Sequence, residues 1–132
     1  MSVIVRDDGF HSDDWNAGYE PGGLAVDVTS EDDIGGLDLA NTQLIRVAFP
    51  SFADGRGFTL GQRLRQLGYK GRLRAAGHVL ADQYTMARRS GFDEVEIDAD
   101  LAARQPADQW VFRANWQAHD YQARLRAKPA FH

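Results

Sequence analysis

The sequence predicts an α/β fold in which repeated βα units build a mainly parallel sheet of about four or five strands, partial-barrel-like or flavodoxin-like, behind an N-terminal arm. Three observations carry that reading. The apolar run from Leu44 to Phe49 stops at Pro50, and Leu60, Leu64 and Leu67 then recur at helical spacing. The order helix, Gly68-Tyr69, strand returns as helix, Gly91-Phe92-Asp93, strand. With 132 residues, 43% of them apolar, the chain has material for one domain around one core.

The elements follow in order. Val3 to Val5 is a short strand, and the Asp-, Gly-, His- and Trp-rich stretch up to Gly23 makes residues 1–23 an arm or hairpin anchored by Phe10, Trp15 and Tyr19. Residues 24–117 form the βα core. Leu24 to Val28 is its first strand, and Thr29 or Ser30 with Glu31, Asp32 and Asp33 caps a short helix that Gly35-Gly36 cuts off. After the Leu44–Phe49 strand, Thr59 with Gln62 reads as a capping box for a helix ending at Gly68. Lys70 to Ala76 is a strand in which Leu73 and Ala75 alternate with Arg72 and Arg74, and Gly77 ends it. Val79 to Ala87 continue a helix to Gly91, and Val95 to Ile97 is a short strand. Ala99 to Arg104 suits a helix. The alternation of Trp110, Phe112, Ala114 and Trp116 favours a final strand, with a helix from Pro106 onward as its competitor, and residues 118–132 form a tail.

Charge is divided unevenly. Residues 1–42 hold ten acidic residues against Arg6, whereas residues 43–132 hold nine acidic and fourteen basic ones, so the two parts attract each other or a partner. The overall charge of −4 and pI near 5.5, with no recognition-helix or stacking motif, argue against nucleic acid. No apolar stretch is long enough for a membrane span, and the N-terminus turns acidic before a signal-like core develops, which predicts a cytoplasmic protein. The absence of cysteine excludes disulfides, thiolate metal sites and dithiol redox chemistry by the chain itself.

The candidate chemistry lies at the carboxyl ends of the strands. There Gly55, Arg56 and Gly57, with the helix start at Thr59, could clamp a small anion. Asp54 beside them, and His78, Asp82 and Gln83 one βα unit later, are the neighbouring polar groups. The loop from Pro50 to Phe58 is too long for a dinucleotide turn, and no cofactor is assigned. His11, His78, His119 and His132 have no metal-binding spacing, so no metal site is expected. Ser51 and Ser90 lack the partners of a triad.

Three linked blocks carry a family resemblance. They are Phe49-Pro50 through Asp54-Gly55-Arg56-Gly57-Phe58, Gly68-Tyr69 through Asp82-Gln83, and Met86-Ala87-Arg88-Arg89 through Gly91-Phe92-Asp93. Across residues 24–117 the chain resembles an uncharacterised bacterial family described as probable oxidoreductases involved in sulfite reduction. It departs from that pattern at His78, where an acidic residue is common, and at Ser90, where a cysteine is. The resemblance implies an accessory or electron-transfer-associated component that meets sulfite reductase or its electron donor through a charged face. The alternative is an enzyme or binding protein for a small anionic molecule at the carboxyl ends of the strands. Trp110, Phe112, Trp116, Tyr121 and Phe131 predict a homodimer with the C-terminal segment at its interface.

Overall fold

Alternation within the strands decides the two faces of the sheet. A computed structural model describes residues 2–20 and 23–114. Its strands are β1 (Ser2–Arg6), β2 (Gly9–Ser12), β3 (Ala25–Val28), β4 (Leu44–Phe49), β5 (Arg72–Gly77) and β6 (Glu94–Asp98), in the spatial order β2-β1-β6-β5-β4-β3. The four strands β3 to β6 are parallel, and β1 and β2 are antiparallel additions. Val26, Val28, Ile45, Val47, Phe49, Leu73, Ala75, Val95 and Ile97 share one face and form the core with helix residues such as Leu60, Leu64, Ala87 and Leu101. The intervening positions Asp27, Arg46, Arg72, Arg74, Glu94 and Glu96 share the opposite face.

Neighbouring strands run in sequence order from β3 to β6. Right-handed crossovers then put successive helices on the same side, as in a partial barrel. The flavodoxin-like alternative is corrected, because it requires a reversal of strand order that this sheet lacks.

Among the described residues the helices are α1 (Arg56–Gln66), α2 (Tyr84–Arg89), α3 (Ala99–Arg104) and α4 (Ala107–Phe112). Arg65 on α1 fastens both unit junctions, donating to the carbonyls of Tyr69, Gly71 and Gly91 and to Asp93. Asp93 also accepts the Leu73 N–H at 3.0 Å.

Four expectations are corrected. The expected N-terminal arm or hairpin is a hairpin built into the sheet rather than packed on it: β1 pairs with β6 and covers that edge, leaving β2 outermost, so six strands replace four or five. The short element after β3 is a 3₁₀ turn at Ile34–Gly36, capped by Asp33 rather than by Thr29 or Ser30. Helix α1 starts at Arg56, so Thr59 is not its cap. The strand expected around Trp110 is helix α4: Trp110 is fully buried, edge-on to Tyr84, while Val111 and Phe112 are exposed, a helical division of sides. Trp116, Tyr121 and Phe131, and the tail 118–132, lie outside the described residues.

Candidate functional site

At the carboxyl end of the sheet the loop after β4 meets the turn after β5. Gly77 has φ +112°, and a Cβ there would sit 2.7 Å from the Phe49 carbonyl oxygen, so glycine alone fits. That approach lets the His78 N–H donate to Phe49 O at 3.0 Å, with the ring Nδ1 3.2 Å from the same oxygen. A carbonyl only accepts, so the Nδ1 contact selects the tautomer with its proton on Nδ1 and leaves Nε2 as the acceptor. The His78 ring stands edge-on to Phe52 at 4.9 Å. Gln83 Nε2 donates to Phe52 O at 3.0 Å, and Gln83 Oε1 accepts the Leu80 N–H. His78 and Gln83 are thus gathered on one loop.

A pocket of about 280 Å³ opens beside them, lined by Phe52, Gly77, His78, Glu96, Asp98 and Arg104 among others. Glu96 forms part of its lining and is fixed by Ser2 Oγ at 3.1 Å, Arg46 Nη1 at 3.2 Å and Arg74 Nη1 at 2.9 Å. Asp98 caps α3 by accepting the Leu101 N–H at 2.8 Å. Arg104, in the last turn of α3, makes no ion pair among the described residues. One imidazole and one guanidinium therefore face two carboxylates already engaged elsewhere, an arrangement able to hold a small anion and hand a proton to or from His78.

The other expected site residues fall apart from this pocket. The Arg56 guanidinium is bound by Asp54 through Nε at 3.0 Å and Nη2 at 2.8 Å, and the Arg56 N–H donates to the same carboxylate. Arg56 holds the Asp54 carboxyl at about 2, well below its usual range. Gly57 is a packing residue, since a Cβ there would lie 2.5 Å from the Phe49 ring, whereas Gly55 is exposed with open space around it. Thr59 is exposed, one residue beyond the N–H groups that a helix start leaves open. Asp82 pairs with Arg113 at 2.9 Å. Ser90 is buried and donates to the Met86 carbonyl at 2.8 Å.

Sequence reasoning passed over Glu96, Asp98 and Arg104, and with them the charged sheet face. Across that face the register places Asp27 beside Arg46, Arg46 beside Arg74, and Arg74 beside Glu94. The signal was the polar parity of β4, β5 and β6. Tyr19 crosses this face, accepting Arg74 Nη1 at 3.0 Å while Arg46 lies 3.7 Å over its ring. Burial pushes the Tyr19 hydroxyl pKa upward. The acidic first part and the basic second part meet here and at Asp7–Arg88, so the basic residues do not form one free positive face. Among the described residues no cluster of three or more His, Asp or Glu side chains could hold a metal, and no helix is long and apolar enough to cross a membrane.

Residues 25–131 match the family described as "Bacterial protein of unknown function (DUF934)". The chain belongs to this family. The match spans the parallel sheet and its helices and leaves β1 and β2 outside it. No curated protein and no solved structure matches the chain. The family description assigns no reaction.

Proposed function

We propose that the protein acts in the cytoplasm as an accessory or electron-transfer-associated component of the sulfite reductase system. The observation that carries the reading is the resemblance of three linked sequence blocks to proteins described as taking part in sulfite reduction. The residues of those blocks serve one another in the fold: Gly57 against Phe49, Gln83 on the Phe52 carbonyl, Asp93 on the Leu73 N–H. A chain without cysteine has no thiol pair of its own to cycle, which favours an accessory role. Arg63 and Lys70 are exposed basic groups suited to an acidic partner surface.

Mixing the purified full-length chain with its cognate sulfite reductase and its electron donor tests the reading by size exclusion at low ionic strength. A complex is expected, as is slowed growth of a deletion strain on sulfate that a reduced sulfur source restores. No complex, together with normal growth on sulfate, would overturn it.

A second reading, an enzyme or binding protein for a small anion, is favoured by the His78–Arg104 pocket. Here Arg104→Ala is expected to abolish any anion-dependent rise in melting temperature, and an unchanged rise would remove the pocket from consideration. The homodimer also stands as a proposal, with Phe112, 68% exposed, as its contact residue within the described part. Light scattering of Phe112→Asp should then report a monomer where the parent chain is a dimer.

A further inference from the structure

On the sheet face away from the helices, three guanidinium groups converge on one carboxylate. Arg6 on β1 and Arg72 and Arg74 on β5 lie 3.1, 2.8 and 3.5 Å from the Asp14 oxygens. Behind them Glu94, its side chain 3% exposed, receives Arg6 Nε at 3.1 Å, Arg72 Nη2 at 2.8 Å and Arg74 Nε at 2.6 Å. One buried acid therefore holds three arginines aimed at one point, which is how an anion site is preorganised.

Asp14 fills this cradle incompletely. A carboxylate has two oxygens: Oδ2 accepts from Arg6, Oδ1 accepts from Arg72, and Arg74 Nη2 is left at 3.5 Å. Arg74 is 0% exposed, and its Nη2 is a buried donor without a hydrogen-bond partner. Leaving such a group unpaired is costly. The segment that carries Asp14 is lightly attached. Residues 13–20 have no regular secondary structure and none of them is buried. The segment meets the sheet through Asp13 and Asp14, through Tyr19, which binds Arg74 and lies under Arg46, and at its end through the Glu20 N–H, which donates to the Ala25 carbonyl at 3.0 Å. Hydrogen bonding from Arg72 holds the Asp14 carboxyl at about 2, so this position favours negative charge.

We propose that Arg6, Arg72 and Arg74 form a binding site for a small oxyanion with a three-oxygen head group, as in sulfate, phosphate or a sulfonate, and that the Asp14 carboxylate is the group such an anion replaces. A third oxygen supplies the hydrogen bond that Arg74 Nη2 lacks. Displacing Asp14 leaves the segment held by Asp13, Tyr19 and the Glu20 N–H, so occupancy of the cradle is coupled to the position of the residues around Asp14. The site is on the opposite face from the core and stands independently of a role in sulfite reduction.

Sodium sulfate, phosphate, methanesulfonate and acetate are titrated into the full chain, with chloride holding the ionic strength constant. Affinity is read by calorimetry, and the arginine Nε–H resonances by nitrogen-15 NMR. Asp14→Asn keeps the side-chain volume and removes the competing charge; it is expected to raise sulfate affinity on the order of tenfold. The Arg6, Arg72 and Arg74 resonances should move, and acetate, with two oxygens, should bind more weakly than sulfate. Glu31→Gln removes one exposed charge elsewhere and should leave the affinity unchanged. Adding Arg72→Lys to Asp14→Asn keeps the charge but loses the planar fork, and should cancel the gain. A sulfate affinity unmoved by Asp14→Asn, or a gain that survives Arg72→Lys, overturns the proposal. Methanesulfonate binding as tight as sulfate would assign the cradle to the head group of a larger molecule, and sulfate binding alone would assign it to a free anion.

Discussion

Replacing Glu94 by glutamine is the sharpest test of how the charged sheet face is held together. The substitution keeps shape and removes one charge, while the amide nitrogen turns a donor toward arginines that only donate. Arg74, wholly buried, would keep Glu96 at 2.9 Å and Asp13 at 3.2 Å but lose the negative charge that it meets at 2.6 Å. Arg6 and Arg72 are about one-third exposed and recover much of their loss from water. The cost therefore falls mainly on Arg74. Breaking a buried ion pair from one side costs about 3–5 kcal/mol. For a domain of this size that is a drop in melting temperature of roughly 10–20 °C. Urea unfolding followed by far-ultraviolet circular dichroism, with calorimetry for the melting temperature, measures both. The double variant Glu94→Leu with Arg74→Met removes the buried pair altogether and is expected to recover most of the loss, because the desolvation cost of both charges disappears with their attraction. A single variant that loses less than about 1 kcal/mol, the range of an exposed pair, would refute the claim that Glu94 and Arg74 act as a buried pair.

Two further outcomes follow from the same geometry. Gly77→Ala forces a side chain into φ +112° and against the Phe49 carbonyl oxygen, so it should destabilise the protein by about 2 kcal/mol or more and shift the His78 ring resonances; unchanged stability would show that the turn relaxes freely. Stability should also fall in acid. The folded-state pKa values of Asp14 and Asp54, both about 2, lie below the ordinary 3.8, so each contributes stability above that ordinary value which is lost as pH falls through about 2. Urea midpoints measured from pH 6 to pH 2 should show a shallower decline for Asp14→Asn, and an unaltered slope would mean that the arginine cradle does not stabilise the carboxylate.

Much of the architecture was legible because its signals are local. Pro50 closes β4 at the expected residue, and α3 occupies the expected Ala99–Arg104. The start of α1 was misplaced because Gly55 caps it without a side-chain bond, whereas Thr59 and Gln62 offered a more familiar pattern inside the helix. Around Trp110 both periods fit the apolar residues, and the packing of that indole on Tyr84 decided for a helix. His78 and Gln83 were legible as neighbours because both follow the same strand. Glu96, Asp98 and Arg104 were not, since nothing local joins the end of β6 to the loop after β4.

The sequence by itself determined the βα repeat, the core face and the attraction between an acidic first part and a basic second part. These follow from periodicity and composition, which act over a few residues or over the whole chain. Only the tertiary structure decided that the N-terminal hairpin extends the sheet and that Arg6, Arg72 and Arg74 share Glu94 and Asp14. Those contacts join residues as far apart as Ser2 and Asp98 in the sheet and Arg6 and Glu94 on its charged face. Their partners are chosen by strand order and register, which depend on the chain closing on itself rather than on any neighbouring residues.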